Sequence, residues 1–416
     1  MQHPLACLFL VPLLTACGST GGDSPATVDA GDDSTAIADA APEGAGADAA
    51  DDATSNDTGA DGVSDASASS AAWVMAYYAG YDASKLPVAE IDWAAITHVA
   101  VAFYLPDGSG GLDESLFLDA TRGPQLGHDL VAAAHAAGKK AVASIGGAGE
   151  HDVFASSAGS ANRATFVARI AKLVGDYGYD GVDLDWEPIQ TGDAATIASL
   201  AHDLRAALPG TVLTLPVGQI NANSPPDLSY LATLAPLFDR ISVMSYGMSG
   251  AYAGWKSWHS SPLTWNGVHA TPAGIDINVT AMLAAGVPAA TLGIGAGFYG
   301  LCYTTPVTAP VQDLGASTIK DVIYADILAT YLTPSARQWD TGAMVPYLTF
   351  AAPRGPDACT FLSYEDEQSL GAKGAYAKSK GLGAVIVWQM NQGYIASAPA
   401  GQRNKLLDAL GAALLH

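Results

Sequence analysis

From Trp73 to the C-terminus, short apolar runs recur with longer stretches of helical spacing between them. Strands are expected at 73–79, 98–104, 139–145, 181–187, 212–218, 240–246, 290–297 and 383–390. Most of these runs are near-continuously apolar instead of alternating, as expected for parallel strands covered on both faces. Helices are expected between them. One covers 126–137 and is closed by Gly138; another covers 162–177, with Phe166, Ile170, Leu173 and Tyr177 one turn apart; a third covers 194–208, with Ile197, Leu200, Leu204 and Leu208. Eight strands alternating with helices predict an α/β fold, a (β/α)8 TIM barrel over 73–416. No Gly-x-Gly-x-x-Gly follows the first strand, so the dinucleotide-binding fingerprint is missing.

One strand breaks the apolar rule. Asp180-Gly181-Val182-Asp183-Leu184-Asp185-Trp186-Glu187 places carboxylates at every second position. On a β-strand, Asp183, Asp185 and Glu187 share one face, while Val182, Leu184 and Trp186 pack on the other. Like charges that close cannot all be ionised, which costs stability but suits proton transfer. A calcium loop would need a glycine at its sixth position and acids over a longer span. A solvated edge strand would leave the apolar face unexplained. Asp180, at the base of the run, reads as a turn acceptor.

Barrel chemistry sits at the C-terminal ends of the strands. Those ends carry Glu187, Ser144-Ile145-Gly146-Gly147, Met244-Ser245-Tyr246-Gly247 and Trp388-Gln389-Met390-Asn391, with Tyr77 and Phe103 from the first two strands. Acids, a tyrosine hydroxyl and flat aromatic faces suit a pyranose ring, and the residues read as a glycosidase. Trp255, Trp258 and Trp265 look like a loop of stacking platforms, of which one is expected to meet ligand. His98 and His202 read as structural. The histidines show no metal-ligand spacing, so neither metal nor cofactor is expected.

The N-terminal part has a different composition. Residues 1–17 carry a short apolar segment ending in Leu14-Thr15-Ala16-Cys17, too short to span a bilayer. It resembles a bacterial lipoprotein box with Cys17 as the lipidated residue, although the first residues lack Lys and Arg. Residues 18–72 hold 12 acids and no base, about half of the formal net charge of −23. Low in apolar content and self-repelling, this stretch is expected to be a disordered linker. An exported protein follows, anchored to the outer membrane or cell surface through its lipid, or secreted. No basic stripe is present, so no nucleic-acid partner is expected, and a monomer is. In an exported protein Cys302 and Cys359 could pair.

Asp180-x-x-Asp183-x-Asp185-x-Glu187, with Ser144-x-Gly146-Gly147, Met75-Ala76-Tyr77-Tyr78-Ala79-Gly80, Met244-x-Tyr246 and Leu382-Gly383-Ala384-Val385-Ile386-Val387-Trp388, resembles glycoside hydrolase family 18, the chitinases and their relatives. The resemblance covers nearly all of 73–416. It implies hydrolysis of β-1,4-linked N-acetylglucosamine polymers, chitin or chitooligosaccharides, with retention and with the substrate's own acetamido oxygen as nucleophile. It gives Glu187 the role of acid and base. Asp185 orients the acetamido group, Asp183 shares its proton, and Tyr246 holds the acetamido oxygen. It makes Trp388 the subsite floor and adds Tyr77, Phe103, Met244, Gly146 and Gly147 to the substrate-binding set. Residues 300–363, with Tyr347 and both cysteines, resemble in reduced form the small insertion that walls the groove. Gly247 stands where the family usually has an acid or amide, Ala384 where it has glycine and Asn391 where it often has aspartate. An endo-β-N-acetylglucosaminidase acting on N-glycans and a non-catalytic chitin-binding lectin share parts of this pattern.

Overall fold

The computed structural model describes residues 71–416. The expectations for residues 1–70, including the lipid anchor at Cys17 and most of the acidic linker, lie outside the described residues. Eight parallel strands form the frame: β1 (Trp73–Ala79), β2 (His98–Pro106), β3 (Lys140–Gly147), β4 (Gly181–Trp186), β5 (Val212–Val217), β6 (Arg240–Val243), β7 (Leu292–Gly297) and β8 (Ala384–Trp388). Each pairs with the next, and β1 pairs with both β2 and β8, so the sheet closes on itself. Helices between the strands cover its outside. This is the (β/α)8 barrel that the hydrophobic pattern predicts.

Local rules explain the covering helices. Arg163–Tyr177 buries Phe166, Val167, Ile170, Leu173, Val174 and Tyr177, a stripe at three- and four-residue spacing. It ends where Gly178 turns left-handed at φ 79° and donates its N–H to the Val174 carbonyl. Glu367–Ser379 starts with a capping box. Asp366 accepts from the backbone N–H groups of Gln368 and Ser369, and Ser369 Oγ accepts from the Asp366 N–H.

Alternation along β4 separates two environments. Val182, Leu184 and Trp186 face outward into the main core, where Trp186 stacks on Phe154 at 4.7 Å. Asp183 and Asp185 face the barrel interior. Asp180 accepts from the Ala141 N–H at 2.8 Å and pairs with His135, which ties β3 to the turn before β4. β6 ends at Val243, three residues earlier than expected. Ser245 N–H donates to the Val243 carbonyl, so the chain turns there and Tyr246 leaves the ladder.

Between β7 and β8 lies an antiparallel five-stranded sheet, made of Tyr299–Tyr303, Ile319–Ile323, Arg337–Asp340, Val345–Arg354 and Cys359–Ser363. Cys302 and Cys359 are disulfide-bonded across neighbouring strands, with their Cα atoms 5.3 Å apart. Tyr299, Leu301, Tyr303 and Phe361 share one face of this sheet. They pack into one cluster with Tyr77, Phe103 and Tyr246 of the barrel, with Met244, Trp388 and Tyr347 against it. The insertion is therefore continuous with the rim where the acids emerge.

Candidate active site

Asp183 lies deepest and is fully buried. One carboxylate oxygen accepts from the hydroxyls of Tyr77 and Ser144, each at 2.8 Å, and the other from Thr214. Burial raises its pKa, and the three hydroxyls oppose that rise by stabilising the anion. Asp185, one pleat further out, is pushed well above the usual carboxylate range. Burial is the main cause, followed by the charges of Glu187 and Asp183. Its Oδ1 is buried and has no hydrogen-bond partner. An orphaned carboxylate oxygen is expensive, and a ligand N–H would complete it.

Glu187 caps the strand at the rim, partly open to solvent. Its carboxyl is raised to about 7, first by burial and then by the Asp183 charge, against the lowering effect of its hydrogen bond with Asp185. A carboxylic acid that keeps its proton near neutrality and sits at a barrel mouth can act as a general acid. Tyr246 is buried beside this set, and its hydroxyl pKa is raised well above the usual value by burial and by the Glu187 and Asp185 charges. It therefore stays a donor.

The aromatic floor is built from three strand ends. Trp388 stacks on Phe103 at 5.4 Å and meets Tyr77 edge-on at 5.5 Å. Gly147 lies under the Phe103 ring, and a Cβ at Gly146 would collide with the Asp185 carbonyl at 2.3 Å, which explains both glycines of the third strand end. Met244 is half-buried against the same cluster. Gly247 has φ 60°, and a Cβ there would lie 2.8 Å from the Tyr299 hydroxyl. The space that an acid or amide side chain would need is thus occupied by the insertion's first tyrosine.

Glu187, Asp185, Asp183, Tyr246, Trp388, Tyr77, Phe103, Met244, Gly146 and Gly147 converge on one end of the barrel. Others do not join them. Trp258 is fully buried against Ala343 and Val345 of the insertion, so it is no platform; Trp265 packs on the same cluster and donates Nε1–H to Thr271 at 3.0 Å. Trp255 stays half-exposed, edge-on to Tyr252 at 4.6 Å. His98 is buried and stacks on Trp73 at 4.1 Å, whereas His202 is exposed, because the apolar neighbours in its helix face the other way. Asn391 binds the backbone of Ala79 at the end of β1 and not the cleft. Two functional side chains escaped the sequence reading. Thr214 interrupts the apolar run of β5 and, as a buried hydroxyl, had to have a partner. Tyr299 follows Gly293, Gly295 and Gly297, an alternation of glycines that marks a strand face lying against large neighbours.

Comparison with known proteins identifies the family. The family model described as "Glycosyl hydrolases family 18" matches residues 73–393. Chitinase A1 of Niallia circulans is 30% identical over 307 residues, 65% of this chain and 41% of that protein. The chain thus spans well under two thirds of that relative's length. A chitinase-like effector of Moniliophthora perniciosa is 25% identical over 398 residues, 80% of this chain and 85% of the effector. The crystal structure of a chitinase from Rhizomucor miehei superposes with a TM-score of 0.68 at 26% identity, covering 82% of this chain and 99% of that one. The chain belongs to glycosyl hydrolase family 18.

Proposed function

We propose that the domain hydrolyses β-1,4-linked N-acetylglucosamine polymers, with retention of configuration and with the substrate's acetamido oxygen as the nucleophile. The observation that carries this reading is the buried, partnerless Oδ1 of Asp185 between Asp183 and Glu187. An acetamido N–H would supply the missing donor, and, unlike a hydroxyl, the same group carries a carbonyl oxygen that can attack the anomeric carbon.

Glu187 donates its proton to the glycosidic oxygen as the bond to the anomeric carbon breaks. The acetamido oxygen closes on that carbon and forms an oxazolinium ion on the same sugar. Asp185 accepts the acetamido N–H and balances the positive charge, while Asp183, held by Tyr77, Ser144 and Thr214, shares the proton that Asp185 must give up. Tyr246 donates to the acetamido oxygen and fixes its line of attack. Glu187, now a carboxylate, takes a proton from water as it opens the ring. Two displacements at one carbon restore the β configuration.

The test pairs colloidal chitin with a denatured glycoprotein. Soluble oligosaccharides from chitin, with the β anomer dominant by NMR before mutarotation, are the expected result. Release of N-glycans instead would identify an endo-β-N-acetylglucosaminidase. Binding to chitin without release would identify a lectin, and an initial α anomer would rule out the acetamido mechanism. We further propose that Cys17 carries a lipid that holds the domain at a membrane. Cys17→Ser should then move the protein from the membrane fraction to the soluble one, and retention of the Ser variant would refute the anchor.

A further inference from the structure

A second group of buried charge lies behind the site. Lys373, on the helix Glu367–Ser379, and Glu365, just before it, form an ion pair with both side chains essentially inaccessible to solvent. Ser369 Oγ donates to the other Glu365 oxygen at 2.6 Å. Burial lowers the Lys373 pKa and raises that of Glu365, and each partner's charge opposes the other's shift. A buried pair of this kind is seldom more stabilising than a well-packed apolar pair of the same volume, so stability alone does not account for it.

The pair does more than neutralise itself. Lys373 Nζ also donates to Ser261 Oγ at 2.7 Å. An ammonium has donors and no acceptor, so it fixes the role of that hydroxyl. The single proton of Ser261 is directed at the Ser245 carbonyl, 2.5 Å away. That carbonyl belongs to the peptide whose nitrogen is Tyr246's. On the other side, Ser245 Oγ donates to the Gly295 carbonyl and accepts from the Gly295 N–H, both at 2.9 Å. Gly295 is the residue beneath the Tyr246 ring, where an added Cβ would lie 2.7 Å from it. A continuous hydrogen-bonded chain therefore runs from a buried charge to the peptide and the seat of the tyrosine.

We infer that Lys373, through Ser261 and the Ser245 carbonyl, is a positioning residue for the Tyr246 hydroxyl. It touches no substrate, being sealed from solvent. Its ammonium gives the Ser261–Ser245 bond one orientation. Beyond Met244, whose N–H still donates to the Val217 carbonyl, the segment leaves the ladder, and at Ser245 that bond helps to direct it. Tyr246 lies outside regular structure, so its aim depends on such supports. The inference rests on the role given to Tyr246 in the proposed reaction.

Two perturbations separate it from a merely structural role. Ser261→Ala cuts the chain and leaves the ion pair intact, and Lys373→Met combined with Glu365→Gln removes both charges without stranding one. Each is measured in the native background and with Tyr246→Phe. Both are expected to lower kcat on chitooligosaccharides on the order of tenfold with little change in KM, and to have no further effect once the hydroxyl is gone. Losses that multiply with Tyr246→Phe would overturn the inference. Crystal structures of the same variants give a readout that needs no activity. A shifted Tyr246 ring or a rotated 245–246 peptide is expected, and an unmoved ring and peptide would overturn the inference. Should the native protein fail to cleave chitooligosaccharides, the proposed reaction falls while the crystal structures still decide the role of Lys373.

Discussion

Two sets of buried charge flank Tyr246, and they meet the same cost in opposite ways. Behind it, Glu365 and Lys373 cancel each other, and the remaining oxygen of Glu365 is satisfied by Ser369. In front of it, Asp183, Asp185 and Glu187 are crowded together with no cation among the causes that shift their pKa values. They are relieved only by hydroxyl donors and by keeping protons, and one oxygen of Asp185 has no partner at all. Both regions are largely buried and both hold carboxyl groups. One is complete as folded. The other is completed by a proton and a substrate, which is what a catalytic group requires and a structural one avoids.

Removing the acid should break that contrast most sharply. Glu187→Gln keeps shape and hydrogen-bonding capacity but has no proton to give, so hydrolysis of chitooligosaccharides should fall on the order of 10²–10⁴-fold while calorimetry still detects their binding. The native pH profile should agree. Because the acid must be protonated, kcat/KM should decline as pH rises through about 7. Stability carries the same sign. The Glu187 pKa is raised from 4.5 to about 7, so its stabilising contribution is present at low pH and is lost as pH rises through about 7. The Gln variant should lack that loss, and its melting temperature should therefore gain on the native protein between pH 5 and pH 8.

Asp185→Asn comes next. It puts an amide where an anion must balance the oxazolinium ion, and turnover should fall on the order of 10²-fold. Inhibition by a cyclic thiazoline analogue of N-acetylglucosamine should weaken alongside it, since the analogue mimics the same ion. Tyr246→Phe should move both quantities the same way, more mildly. An Asn variant that loses turnover but binds the thiazoline as tightly as before would separate Asp185 from the intermediate.

The paired cluster should respond through stability. Glu365→Ala strands the Lys373 ammonium in a dry site, and urea denaturation should show a loss of about 3–5 kcal/mol. The smallest effect belongs to an acid pair outside the catalytic set. Asp408 is raised to about 7, first by burial and then by its hydrogen bond with Asp92. Its stabilising contribution is likewise lost as pH rises through about 7. Asp408→Asn should raise the melting temperature slightly at pH 8, leave it unchanged at pH 3, and not alter activity. A gain at pH 3 would mean that something other than the shared proton was relieved.

The barrel could be read from the sequence because parallel strands covered on both faces leave continuous apolar runs, and most of β1 to β8 leave one. The acids could be read because alternation on β4 is a local property. Long-range partners could not. Thr214 stands thirty-one positions from Asp183, and Lys373 one hundred and twelve from Ser261, and no spacing rule links either pair. Which of the three clustered tryptophans would be buried was equally out of reach: burial at Trp258 is decided by Ala343 and Val345, contributed by a segment that comes much later in the chain. Gly247, a departure from the family's usual residue, is explained only by Tyr299, which fills that place from a distant part of the chain.

β7 contributes to the cleft through what it lacks. Gly293, Gly295 and Gly297 occupy every second position, and an added Cβ would meet Ser242 at 2.2 Å, Tyr246 at 2.7 Å and Tyr299 at 2.9 Å respectively. The volume those three residues leave empty is where their neighbours' working groups are seated. Mutational tolerance in this molecule should therefore be inverted along that strand. Elsewhere in a core the damaging change is a deletion, but here it is the smallest possible addition. Gly295→Ala, one methyl group with no charge or hydrogen bond altered, would press on the Tyr246 ring. A variant survey scored by chemical similarity would rank it among the mildest substitutions in the protein.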